Sequence, residues 1–136
     1  MKTLSVVMIV KNEEELLSRC LDSIQGADEI IICDTGSEDS TVSIAKKYTD
    51  KVFTDYKWND SFADARNHAL KKATGDWILS IDADEFLLPQ QMDKIKELIN
   101  TAGNKRTYDV IMDSGYSTFY FPRIFINKPK EVFWQG

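Results

Sequence analysis

LSVVMIVKNEEE, residues 4–15, opens with seven almost unbroken apolar and β-branched positions and closes in charge. Such a run fits a central parallel strand covered on both faces. After Lys11, Asn12 offers an N-cap with Glu15 three residues on, and Leu16, Leu17, Cys20, Leu21 and Ile24 follow at helical spacing. The pattern is strand, turn, helix, and it repeats. Glu29 to Cys33 reads as a second buried strand, Asp34 to Asp39 as a turn, and Thr41, Ile44, Ala45 and Tyr48 as one helix face. Val52 to Thr54 reads as a third, short strand.

Further along, Ser61 is placed to cap a helix carrying Phe62, Ala65, Ala69, Leu70 and Ala73 on one side, with Gly75 as its stop. Trp77 to Ile81 is a fourth strand, and Asp82-Ala83-Asp84-Glu85 sits at its carboxyl end. Pro89 suits the first turn of another helix with Met92, Ile95, Leu98 and Ile99 facing inward, and Tyr108 to Met112 and Ser117 to Phe121 read as later strands. The alternation predicts an α/β fold: a mostly parallel, Rossmann-like sheet with helices on both faces. The turns at Lys11–Glu13, Asp34–Asp39 and Asp82–Glu85 then share one sheet edge. A strand order of 3-2-1-4 puts the reversal between strands one and four, where ligands of open sheets bind.

With 136 residues, 43% hydrophobic and 29% charged, the chain has the composition of one globular domain. Its net charge of −5 invites neither nucleic acid nor an anionic membrane surface, and no apolar stretch is long enough to span a bilayer. A cytoplasmic location is expected, with any membrane association left to parts outside this sequence. Cys20 and Cys33 read as small core residues of a reducing compartment. One histidine, His68, and two separated cysteines are too few ligands for tetrahedral zinc, so a metal here needs oxygen ligands. His68, Trp58 and Trp77 read as structural.

The pair Asp82 and Asp84, flanking a residue as small as Ala83, can ligate Mg2+ or Mn2+, which take one or two carboxylates and complete their shell with phosphate and water. A solvated acidic turn is the competing reading; position at a strand end beside two polar turns favours the metal. Asp34, directly after Ile30 to Cys33, should project into the crevice, where a carboxylate accepts the N3 proton of uracil and meets only a lone pair on cytosine. Asp34-Thr35-Gly36-Ser37 is equally good turn chemistry. Asp64 fits a capping pattern with Ser61, whereas Arg66 could give a diphosphate bidentate contacts.

These residues resemble glycosyltransferase family 2, the inverting transferases of GT-A fold. Ser5 to Glu13 looks like its opening strand and nucleotide loop, Asp34 to Thr41 its second turn, Phe62-Ala63-Asp64-Ala65-Arg66-Asn67 the helix that reaches the diphosphate, and Asp82-Ala83-Asp84 its DxD motif. The resemblance implies a nucleoside-diphosphate-sugar donor, a divalent ion, and attack by an acceptor hydroxyl of a glycan, lipid or protein with inversion. By the same resemblance Val10, Lys11, Asn12 and Glu13 line the nucleoside and Asp34 contacts the base. Asp64 and Arg66 lie on the phosphate helix, Asp82 and Ala83 approach the ribose and diphosphate, and Asp84 holds the metal. Pro122-Arg123-Ile124-Phe125-Ile126-Asn127 looks like the segment leading to the acceptor half, with the family's general base expected beyond Gly136. Residues 1–136 are thus expected to form one GT-A domain cut before its acceptor half. Two alternatives stand beside a transferase: a catalytically silent nucleotide-sugar-binding module, and a nucleotidyltransferase. The latter lacks its usual glycine-rich, arginine-containing loop after strand one.

Overall fold

The computed structural model describes residues 1–113 and 118–128. Six strands form one sheet in the order β3-β2-β1-β4-β6-β5. β1 (Leu4–Val10), β2 (Glu29–Asp34), β3 (Val52–Phe53) and β4 (Trp77–Ser80) are parallel, while β6 (Thr118–Ile126) runs antiparallel to both β4 and β5 (Thr107–Asp113). The expected 3-2-1-4 order holds, and its reversal falls between β1 and β4.

Burial on two faces explains the unbroken apolar run of β1. Leu4, Val6, Met8 and Val10 face a core completed by α1 (Leu17–Ser23) and α4 (Gln91–Asn100), with Leu17, Cys20, Leu21, Met92, Ile95 and Ile99. Val7 faces the opposite way, with Ile31, Cys33, Ile78 and Phe125, under Ala69 and Leu70 of α3 (Phe62–Leu70). A short α2 (Thr41–Ala45) lies beside α1. The two cysteines are free and belong to different cores, Cys20 to one face and Cys33 to the other. Burial pushes their thiols up to about 12 and about 11, so neither is poised as a nucleophile.

Several local expectations are corrected. Asn12 caps no helix: α1 starts at Leu17, and Asn12 takes a left-handed φ of 53° so that its amide oxygen accepts from Glu38 N. Pro89 lies ahead of α4, whose N-cap is Gln90 at φ 73°. Leu98 and Phe62 turn outward, 41% and 63% exposed. β6 runs on to Ile126, past the expected end at Phe121, so residues 122–126 of the segment expected to lead to the acceptor half form a strand beside β4; the expected start of this strand, Ser117, lies outside the described residues.

Gly75 stops no helix, because α3 ends at Leu70. Its role is close approach: a Cβ there would lie 2.5 Å from Ser5 Oγ and 3.0 Å from Ser5 N. Gly75 N donates to the buried Ser5 hydroxyl, which donates to Glu29. Thr74 N and Oγ1 also donate to Glu29, and Lys51 pairs with it. Burial works against the Glu29 charge, but the bonds from Lys51, Thr74 and Ser5 outweigh it and hold the carboxyl at about 2, below its ordinary 4.5. A depressed carboxyl stabilises the fold above its unfolded value and loses that contribution as pH falls through its folded one. At pH 7 the contribution is about 2 kcal/mol after solvent screening. Urea unfolding should show Glu29→Gln less stable at pH 7, with the gap to wild type narrowing by about 1 kcal/mol at pH 3.5. A gap independent of pH would show that Glu29 acts through packing alone.

Candidate functional site

Three turns meet at the carboxyl edge of β1, β2 and β4, as parallel pairing requires. The first two are tied together: Asn12 N donates to Ser37 Oγ (2.8 Å), Glu38 N to Asn12 Oδ1 (2.8 Å), Glu13 N to Thr41 Oγ1 (2.8 Å), and Ser40 N to Glu14 Oε2 (3.0 Å). Val10 is buried and its carbonyl accepts from Thr35 N, while Lys11 is exposed.

Asp34 ends β2 and is 5% exposed. One oxygen, Oδ2, accepts from Gly36 N (3.1 Å) and Ser37 N (3.0 Å), which fixes the plane of the carboxylate. The other, Oδ1, is buried without a hydrogen-bond partner among the described residues. Turn chemistry and an unsatisfied acceptor are both present, one on each oxygen. Such an atom forfeits hydration unless a donor reaches it.

On the β4 side, Asp82 Oδ1 lies 3.4 Å from Arg66 Nη2, which α3 projects across the crevice, and Oδ2 lies 3.8 Å from Arg123 Nη2. Arg123 also grips Glu85 with both nitrogens (2.9 and 3.2 Å) and donates to Ser80 O (3.1 Å). Glu85 Oε1 in turn accepts from Asp82 N at 2.7 Å, closing the turn. Arg123 was not singled out individually in the sequence. Its aim comes from pairing: register advances one residue on β5, Tyr108 to Asp109, but two on β6, Ile124 to Pro122, leaving Arg123 as a bulge. No local pattern announces it.

Ala83 is buried and contributes to the core, whereas Asp84 is exposed and its carboxylate has no hydrogen bond or ion pair among the described residues. Across the crevice, burial and then the charges of Asp84, Asp39 and Asp82 push the Glu13 carboxyl above its ordinary range. Carboxylates gathered in this way suit a cation. Among the described residues no three His, Cys, Asp or Glu side chains converge as a preformed metal cage. A cation held here would take one or two carboxylates and complete its shell with phosphate and water. Beyond the acidic turn, a groove of about 670 Å³ runs between it and α4, lined by Leu79, Ile81, Phe86, Leu88, Ile95 and Ile124 among others.

Asp64 is the predicted residue that the structure keeps out of this cluster. Its backbone N–H is capped by Ser61 Oγ (3.1 Å), and its carboxylate accepts from Tyr56 Oη (2.8 Å) and Asn59 Nδ2 (2.9 Å), bracing the 56–64 loop. His68 lies 3.4 Å from Asp55. Trp77 is buried against Tyr108, and Trp58 lies edge-on to Phe62 with its indole N–H on Asp60.

A mostly parallel sheet with polar turns gathered at the β1/β4 reversal is the architecture of GT-A glycosyltransferases. Staphylococcus aureus TarS superposes on 98% of this chain and 50% of its own, with a TM-score of 0.75 at 20% identity. Its complex with UDP-GlcNAc matches 72% of this chain and 31% of its own, at 26% identity and a TM-score of 0.63. Glucosyl-3-phosphoglycerate synthase of Mycobacterium tuberculosis, solved with Mn2+ and UDP-glucose, covers 79% of this chain and 42% of its own, with a TM-score of 0.66 at 24% identity. Residues 5–133 match the model of glycosyl transferase family 2, and the chain belongs to that family. A TPR repeat-containing protein of Synechococcus elongatus is 45% identical over 74% of this chain and 25% of its own. An uncharacterised glycosyltransferase of Rickettsia typhi is 37% identical over 79% and 36%. The chain thus spans about a quarter to a third of the length of these two relatives. Among the described residues no helix is long and apolar enough to cross a membrane.

Proposed function

We propose that this chain is the donor-binding part of an inverting, divalent-cation-dependent glycosyltransferase that takes a uridine diphosphate sugar and delivers a hexosyl or related group to an acceptor hydroxyl. The observation that carries the uridine is the divided carboxylate of Asp34. With Oδ2 held by two backbone N–H groups, the buried Oδ1 is left to accept one further proton, and uracil N3–H supplies it. The UDP-GlcNAc complex of TarS supports the same donor class.

In this reading Val10 to Glu13 and Thr35 wall the nucleoside, already braced by the bonds between the first two turns. Arg66 leaves Asp82 in part to meet diphosphate oxygens, a fork suited to that geometry. Asp82 then accepts a ribose hydroxyl, and Ala83 keeps the chain close to the sheet. Asp84, with Asp82 beside it, would hold manganese or magnesium together with phosphate oxygens and water. Such an ion would neutralise charge developing on the departing diphosphate.

Calorimetric titration with UDP and CDP tests the base site. UDP should bind about tenfold more tightly, because cytosine turns a lone pair towards Asp34 Oδ1 and leaves it unsatisfied. Equal affinities would remove Asp34 from base recognition.

A further inference from the structure

The geometry points to Arg19 as a positioning residue for the Asp84 carboxylate, acting through the backbone of the acidic turn. This rests on the reading of Asp84 as a cation ligand. One face of α1 grips residues 82–87 at three places. Cys20 Sγ donates to Asp82 O at 3.6 Å, Ser23 Oγ accepts from Leu87 N at 3.0 Å, and Arg19 Nη2 donates to Asp84 O at 3.0 Å. The Arg19 guanidinium also lies 4.3 Å from the centre of the Phe86 ring. It therefore brackets the peptide on which Asp84 stands, bonding its carbonyl and stacking on the side chain two residues later.

Asp84 needs such a bracket because its own carboxylate is tied to nothing among the described residues, so only its backbone can define where it points. The Glu85–Arg123 contacts fix the base of the turn at Asp82 N and Ser80 O, Glu85 N donates to Asp82 O within it, and Arg19 holds the Asp84 carbonyl from α1. Cys20 is buried in the core, whereas Arg19 is exposed, so removing it loosens the turn without opening a cavity. An ion held by so few carboxylates loses affinity when one of them samples wrong directions.

The test is titration of UDP, with and without manganese, into wild type, Arg19→Ala and Arg19→Lys, with thermal midpoints taken on each. In Arg19→Ala the strengthening of UDP binding by manganese should fall by about three- to tenfold, the scale of a charge-assisted hydrogen bond with an exposed cation–π contact. Its metal-free UDP affinity and its Tm should match wild type. Arg19→Lys should recover part of the loss, since an ammonium can reach the carbonyl but cannot lie flat on the ring. A manganese effect of wild-type size in Arg19→Ala overturns the proposal, and so does a joint fall in Tm and metal-free affinity, which would mark a general structural role. If wild type itself ignores manganese, the cation reading of Asp84 fails first and takes this inference with it.

Discussion

Asp84→Ala is expected to abolish the part of UDP affinity that depends on manganese, a loss of about 2–4 kcal/mol by analogy with removal of one preorganised electrostatic contact. Asp84 stands exposed at the end of the β4 turn with no competing partner among the described residues, so the substitution removes a carboxylate and little else. The sign reverses without metal: deleting a carboxylate beside the diphosphate relieves repulsion, so metal-free UDP should bind as well as to wild type or slightly better. Uridine, which carries no phosphate, should not distinguish the two proteins. Asp82→Asn should be milder, because an amide oxygen still accepts a ribose hydroxyl, although the Arg66 pairing weakens. Calorimetry with UDP and uridine, each with and without manganese, reads all of these. A manganese effect that survives Asp84→Ala would make the acidic turn a solvated loop.

The second large effect concerns stability. Arg123→Ala should destabilise the fold by about 2–4 kcal/mol, because it strands a carboxylate that is itself mostly buried. The Arg123 and Glu85 side chains are only 15% and 16% exposed, and the guanidinium serves Glu85, Ser80 O and Asp82 together. Arg123→Lys should recover less than half, since one ammonium cannot reproduce a two-nitrogen grip on Glu85 while holding Ser80. Urea unfolding at unchanged m-value measures both variants. A shift below about 0.5 kcal/mol would place the pair among surface salt bridges of little consequence.

These two residues also mark how far the sequence could be read. Asp84 was legible because an apolar strand, Trp77 to Ser80, points to the turn that follows it, and burial on both faces writes that strand in a local alphabet. β1 and β2 were readable for the same reason, and with them the location of Asp34. Arg123 was not, since its aim depends on a register slip between β5 and β6, a relation between two strands that neither encodes alone. Nothing local marks Arg19, whose target is a carbonyl sixty-five residues away. Asn12 followed by Glu15 spelled a helix start, but bonds to the second turn competed for the same amide and won. Gly75 was noticed for the wrong reason, because nearness to Ser5, seventy residues away, has no signature in its neighbours.

The bonds that lace the first turn to the second have a consequence for how a nucleotide would arrive. Asn12, Glu13 and Glu14 are tied to Ser37, Glu38, Ser40 and Thr41 by backbone N–H groups of each turn donating to side-chain oxygens of the other, so both loops hold their shape by their own contacts. Ordering a loose loop at the moment of association subtracts from affinity about 0.5–1.5 kcal/mol for each side chain immobilised. Here that entropy is surrendered during folding, and the nucleoside meets a wall whose freedom has already been spent.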